Sequence, residues 1–166
     1  FMVLLTNTTR RGTPFESNFT LSRSGLFPIS ALTGKPYAVK FFDVDGDGGL
    51  DILATNSESN VIHVWRKTGT GFSLAPRLDL TVLGLRNTVG MAIADMNGDG
   101  KPDLIVGDYL QNTGSKIAYL QNQSTSGTVA FKEAVVLIES ASAYQQLEVT
   151  DIDGDRKPDI LGANVT

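Results

Sequence analysis

Asp95-Met96-Asn97-Gly98-Asp99-Gly100-Lys101-Pro102-Asp103, followed by Leu104-Ile105-Val106, is the stretch from which the rest of the chain can be read. It occurs twice more. Asp43-Val44-Asp45-Gly46-Asp47-Gly48-Gly49-Leu50-Asp51 precedes Ile52-Leu53-Ala54, and Asp151-Ile152-Asp153-Gly154-Asp155-Arg156-Lys157-Pro158-Asp159 precedes Ile160-Leu161-Gly162. Each copy follows a short strand-like run, Ala38–Phe42, Gly90–Ala94 or Gln146–Thr150, and the three segments align without gaps. Their first aspartates lie 52 and 56 residues apart. That period is too long for a one-helix repeat and fits a four-stranded propeller blade.

The same windows account for the charge. The 166-residue, 17.8 kDa chain carries 18 acidic and 14 basic side chains, for a net charge of −4. Of its 13 aspartates, 11 fall inside the three windows. A mildly acidic chain with no basic block offers no field for nucleic acid. At 41 % hydrophobic residues the chain is not a disordered one. Zero cysteines exclude a disulfide framework, a thiolate nucleophile and a zinc-thiolate cluster. No apolar run approaches the roughly 20 residues of a membrane span. The opening Phe1–Leu5 is too short for a signal-peptide core and lacks a basic flank, so the chain reads as a processed or partial product.

Between the windows the text reads as short strands, with no 3.6-residue apolar period. Val61–Trp65, Leu78–Val82, Ile117–Leu120 and Ala134–Ile138 are rich in β-branched and aromatic residues, and Lys67–Gly71 and Asn122–Gly127 separate them as turns. The expectation is an all-β chain of propeller-type blades, three four-stranded repeats in a shifted frame. Residues 1–37 hold the outer strands of an incomplete blade (Met2–Leu5 and Phe19–Ser22), 38–89 repeat 1, 90–145 repeat 2, and 146–166 the inner hairpin of repeat 3. Propellers close with about four to eight blades, so the array is open within one chain. It is completed either by further blades or by another copy through the terminal strands, giving a ring or a filament.

The windows follow D-x-[DN]-x-D-x-x-x-D. A hard cation such as Ca²⁺ takes six to eight oxygens at about 2.3–2.6 Å. Side chains at positions 1, 3, 5 and 9 can supply oxygens if the backbone coils tightly, with a carbonyl from position 7. The candidate ligands are Asp43, Asp45, Asp47, Gly49 and Asp51; Asp95, Asn97, Asp99, Lys101 and Asp103; and Asp151, Asp153, Asp155, Lys157 and Asp159. Glycine at position 4 in every window, and at position 6 in two, permits the positive φ of such a coil. At position 6 of the third window Arg156 adds backbone strain and puts a cation near the ligands. The first half resembles an EF-hand loop, but position 12 is Ala54, Val106 or Gly162 instead of glutamate, and the flanks are strands. Metal-free Asp-Gly turns are the plain alternative; three copies in register weigh against it, because carboxylates packed this closely repel without a cation. Up to three Ca²⁺ are expected, with Mg²⁺ the weaker fit.

These units resemble FG-GAP/VCBS-type repeats, the calcium-loop blades of integrin α-subunit propellers and of many microbial surface and secreted proteins. The DxDGDGxPD loop before an aliphatic strand carries the likeness. Departures are Gly49-Leu50 in place of Lys-Pro, Arg156, and a "GAP" element reduced to Leu161-Gly162-Ala163-Asn164. The resemblance implies an extracellular or cell-surface propeller with calcium at its blade loops, a non-enzymatic structural protein of adhesion or scaffolding whose protein or glycan ligand it does not name. The alternative is an accessory or catalytic part of a secreted polysaccharide-degrading enzyme, where similar repeats also occur.

Four N-x-S/T sequons, at Asn7, Asn18, Asn122 and Asn164, are candidate glycosylation sites, and Asn7 and Asn122 follow outer strands where a glycan would face solvent. The single histidine, His63, reads as an ordinary strand residue with no partner base or nucleophile. Trp65, Phe41 and Phe42 read as sheet packing.

Overall fold

The computed structural model describes residues 4–7, 19–22, 34–109, 114–132, 134–140 and 143–165, with backbone alone at 4–7, 19–22 and 164–165. The described residues are all-β, in antiparallel sheets. β1 (Leu4–Asn7) pairs with β2 (Phe19–Ser22). β3 (Pro36–Phe42), β4 (Asp51–Asn56), β5 (Val61–Thr68) and β6 (Gly71–Leu74) form a meander, with β7 (Leu78–Asp79) also on β5. β8 (Thr88–Ala94), β9 (Asp103–Asp108), β10 (Ser115–Leu120) and β11 (Val135–Ser140) form the second. β12 (Ala143–Thr150) and β13 (Asp159–Val165) form a hairpin. In each of the last three sheets an acidic window is the turn between the first two strands.

The sheets stack face to face like blades. β4 and β9 are buried along their whole length, as strands covered on both faces must be. Leu53, Ile62 and Val64 of the first meander meet Met91, Leu104, Val106, Ala118 and Leu120 of the second in one core. The opposite face of the second meander, through Ala92, Ile105 and Ile117, packs on Leu147 with Tyr144, Val149 and Ile160. Gly90 and Gly107 let that contact close: a Cβ on either would sit 3.0 Å from the Tyr144 carbonyl oxygen.

Several local expectations are corrected. The strand read over Leu78–Val82 stops at Asp79, whose carboxylate accepts the Thr81 N–H and hydroxyl at 2.9 and 2.6 Å. That Asx-type turn pulls Thr81–Leu83 into a 3₁₀ turn, closed by Gly84 at φ 67°. The turn read at Lys67–Gly71 is shorter, because β5 runs through Thr68. The fourth strand of this sheet is instead β6, continued by β7 along the same edge of β5 and interrupted at Pro76, which has no N–H to give. Of the expected strand Met2–Leu5, residues 1–3 lie outside the described residues. Phe41 does not pack in the sheet interior: it is 56 % exposed, whereas Phe42 and Trp65 are buried.

Candidate metal centre

Each acidic loop is coiled by its own carboxylates in a repeated pattern. At position 1, Asp43 accepts the N–H of Asp47 at 3.0 Å and of Gly48 at 2.8 Å. Asp95 takes Gly98, Asp99 and Gly100, and Asp151 takes Gly154 and Arg156. At position 3, Asp45, Asn97 and Asp153 each accept the N–H two residues on. At position 5, Asp47, Asp99 and Asp155 do the same for Gly49, Lys101 and Lys157. The turn demands positive φ at positions 4 and 6, with Gly46 at 73° and Gly48 at 87°. Arg156 stands at φ 68° where the other loops have glycine, so the expected strain at that position is present.

Position 9 ties each loop to its sheet. Asp51 accepts the Val44 N–H at 3.0 Å and the Lys67 N–H of β5 at 2.7 Å. Asp103 likewise accepts Met96 at 3.1 Å and Asn122 at 2.8 Å, and adds the Tyr119 hydroxyl at 3.1 Å. Burial, with that hydrogen bond, pushes the Tyr119 hydroxyl up to about 12. Asp159 accepts the Ile152 N–H at 2.8 Å. Asp51 and Asp103 are fully buried. Burial raises the Asp51 carboxyl above its ordinary value against the lowering effect of its two amides. Asp99 is held below its usual range by the Lys101 N–H and the Asn97 side chain. Asp155 is lowered by the Lys157 ammonium, 2.9 Å from its Oδ2.

Asp43, Asp45 and Asp51 bring carboxylate oxygens within 4.8 Å of one another, and so do Asp151, Asp153 and Asp159. Asp47 and Asp155 stand outside those groups. In the second loop, position 3 is Asn97, whose Nδ2 donates to Asp99 at 3.0 Å and whose oxygen would replace a carboxylate. An all-oxygen donor set of this kind suits a hard divalent cation and not a soft one. Among the position-7 residues, Gly49 has a local reason to replace lysine: a Cβ there would lie 2.9 Å from the Lys67 Cβ. Lys101 sends its ammonium to the Ser124 carbonyl oxygen at 2.9 Å.

Three features were not read from the sequence. Arg66 of β5 reaches into the first loop, donating from Nε to Asp45 at 2.5 Å and from its terminal nitrogen to Asp47 at 3.3 Å. Asp108, at the end of β9, is fully buried and accepts the Lys116 N–H at 2.6 Å; burial raises its carboxyl. Its match to Asn56 and Asn164 in the aligned repeats was the available signal. The third is Asn122. As a sequon residue it was placed in solvent, but it is 2 % exposed. Its amide nitrogen donates to the Val44 and Pro102 carbonyl oxygens at 2.9 Å, and its oxygen accepts the Ser124 N–H, so the side chain locks the first acidic loop to the second meander. Asn7 and Asn164 lie in β1 and β13 with side chains outside the described residues, as does all of Asn18. His63 is buried and stacked on Trp65 with ring centroids 5.6 Å apart.

A stack of antiparallel sheets, each with an acidic, oxygen-rich loop as its first turn, defines a β-repeat protein whose loops could hold a metal ion. Residues 43–106, from the first acidic loop through the strand after the second, match the family model described as FG-GAP-like repeat. No curated protein and no solved structure gives a significant match to the chain.

Proposed function

We propose that the protein is a calcium-loaded, non-enzymatic propeller-type module acting in adhesion or scaffolding outside the cell or at its surface. The convergence of Asp43, Asp45 and Asp51, and of Asp151, Asp153 and Asp159, within 4.8 Å carries the calcium part of this reading. Without a cation such carboxylates repel, and with one they clamp the turn that joins two strands. At millimolar calcium, sites of ~10⁻⁴ M affinity each contribute about 1–1.5 kcal/mol of stability. Three bound ions would move the formal charge from −4 to +2. Chelation with EDTA is expected to lower the melting temperature, with calcium restoring it better than magnesium; an unchanged melt rejects the metal sites. Burial of His63 against Trp65 removes the one histidine from general-base work, which favours a non-enzymatic role. The exposed Leu161 and the exposed β3 face of Tyr37, Val39 and Phe41 support self-assembly with a second copy. No helix among the described residues is long and apolar enough to cross a membrane.

A further inference from the structure

The first acidic loop differs from the other two in the cation its carboxylates already hold. Arg66 follows Trp65 on β5, and its Nε donates to Asp45 Oδ2 at 2.5 Å while its terminal nitrogen reaches Asp47 Oδ2 at 3.3 Å. The Asp45 side chain is fully buried and that of Arg66 is 18 % exposed. Asp45 Oδ2 also accepts the Gly127 N–H at 3.1 Å, from the loop that follows β10, so two blades fix its orientation. Trp65 pairs with Ile52 as Leu120 pairs with Leu104, so the matching position in the second blade is the neutral Gln121. In the third loop the corresponding cation contact is Lys157 on Asp155, with the lysine 80 % exposed and therefore weak.

By carboxylate count the first loop, with four aspartates, should outrank the second, with three and an asparagine. We propose that Arg66 reverses that order: it is the resident counter-cation of the first loop and sets how weakly that loop takes a divalent cation. This rests on the calcium reading above. Two effects act in the same direction. A guanidinium is always protonated, and its planar fork stabilises the metal-free loop by pairing a buried carboxylate that would otherwise stand alone. A divalent cation entering the same group of carboxylates then meets the repulsion of that fixed positive charge or must displace it. The first loop therefore stays coiled when empty and fills last of the two.

A calcium titration of the full chain followed by ¹H–¹⁵N NMR tests this, because the loop glycines report each site separately. Gly46 and Gly48 report the first loop, Gly98 and Gly100 the second, and Gly154 the third. In the wild type the Gly46 and Gly48 midpoint is expected at a calcium concentration on the order of tenfold above that of Gly98 and Gly100. Arg66→Gln should bring it down by about the same factor and leave the other loops in place; Arg66→Lys, which keeps the charge but loses the fork, should fall between. The wild type alone supplies a second readout if Arg66→Gln does not fold: the Arg66 Nε–H resonance should move together with Gly48. A first loop that fills with or before the second, a midpoint that Arg66→Gln leaves unmoved, or an Arg66 resonance indifferent to calcium overturns the proposal while the calcium sites stand. Glycines silent in every loop overturn the calcium reading itself, and this proposal with it.

Discussion

Asp103 shows how much one residue of an acidic loop does without any metal. Its two buried oxygens take N–H groups from Met96 and Asn122 and the Tyr119 hydroxyl. Asp103→Ala strands three donors, one of them on the buried Asn122 and two on half-buried residues, and should cost about 3 kcal/mol in urea denaturation performed in EDTA. Asp99→Ala, an exposed change in the same loop, should cost less than about 1 kcal/mol under the same conditions. His63 gives the pH counterpart. Burial lowers its pKa below 6.5, with the Arg77 charge adding to the effect. The unfolded chain then binds a proton that the folded chain refuses, so stability falls as pH drops from 6.5 towards the folded value and is retained above 6.5. The raised carboxyls of Asp51 and Asp108 act in the opposite sense, binding protons in the folded state first. Denaturation midpoints measured at pH 7.5 and 5.5 should therefore fall less in His63→Phe than in the wild type.

Among elements, the contact between the second meander and the β12–β13 hairpin depends on what is missing from two glycines. Gly107 lies on the buried central strand β9, and a Cβ there would stand 3.2 Å from Leu147 Cδ1 as well as 3.0 Å from the Tyr144 carbonyl oxygen. Gly107→Val should push β12 away and destabilise the protein by about 2 kcal/mol, seen as a lower denaturation midpoint. Gly69→Ala, whose added Cβ meets nothing within 4 Å, controls for glycine loss alone, its own cost being that of the positive φ of 53°. The loop from Asn122 to Gly127 is a second coupling element. It bonds the first acidic loop through Val44 and Asp45, so a turn sequence that reads as solvent-facing is a bridge between blades.

At the scale of the whole molecule, the stacked sheets leave unequal faces. Leu161 is 58 % exposed, whereas Leu53 and Ile105, at the same position in the other repeats, are fully buried by the next sheet. At the opposite end Tyr37, Val39 and Phe41 line an exposed face of β3, although Met91 at the position of Val39 is buried. The two faces match those that meet between consecutive blades, which supports head-to-tail association of copies. Light scattering should then give a mass above 17.8 kDa, and Leu161→Asp should return the protein to that mass with its β-sheet circular dichroism retained, since within one copy the side chain is already 58 % exposed. A wild type that stays at the monomer mass at all concentrations rejects self-association.

The β-strand class, the repeat and the acidic loops were legible in the chain because each depends on neighbours in sequence. Asp and Gly at fixed offsets dictate a coiled turn, and aliphatic triplets after it dictate a strand, so Ile52–Ala54, Leu104–Val106 and the windows before them could be placed from spacing alone. Where side chains meet across blades, spacing carries no such information. The burial of Asn122 and the hold of Arg66 and Gly127 on Asp45 depend on residues 21 to 82 positions apart being brought together. The local turn chemistry thus belongs to the sequence. The balance of charge inside each loop, and the surfaces left for other molecules, come from packing, because burial and long-range hydrogen bonds exist only once the sheets are stacked.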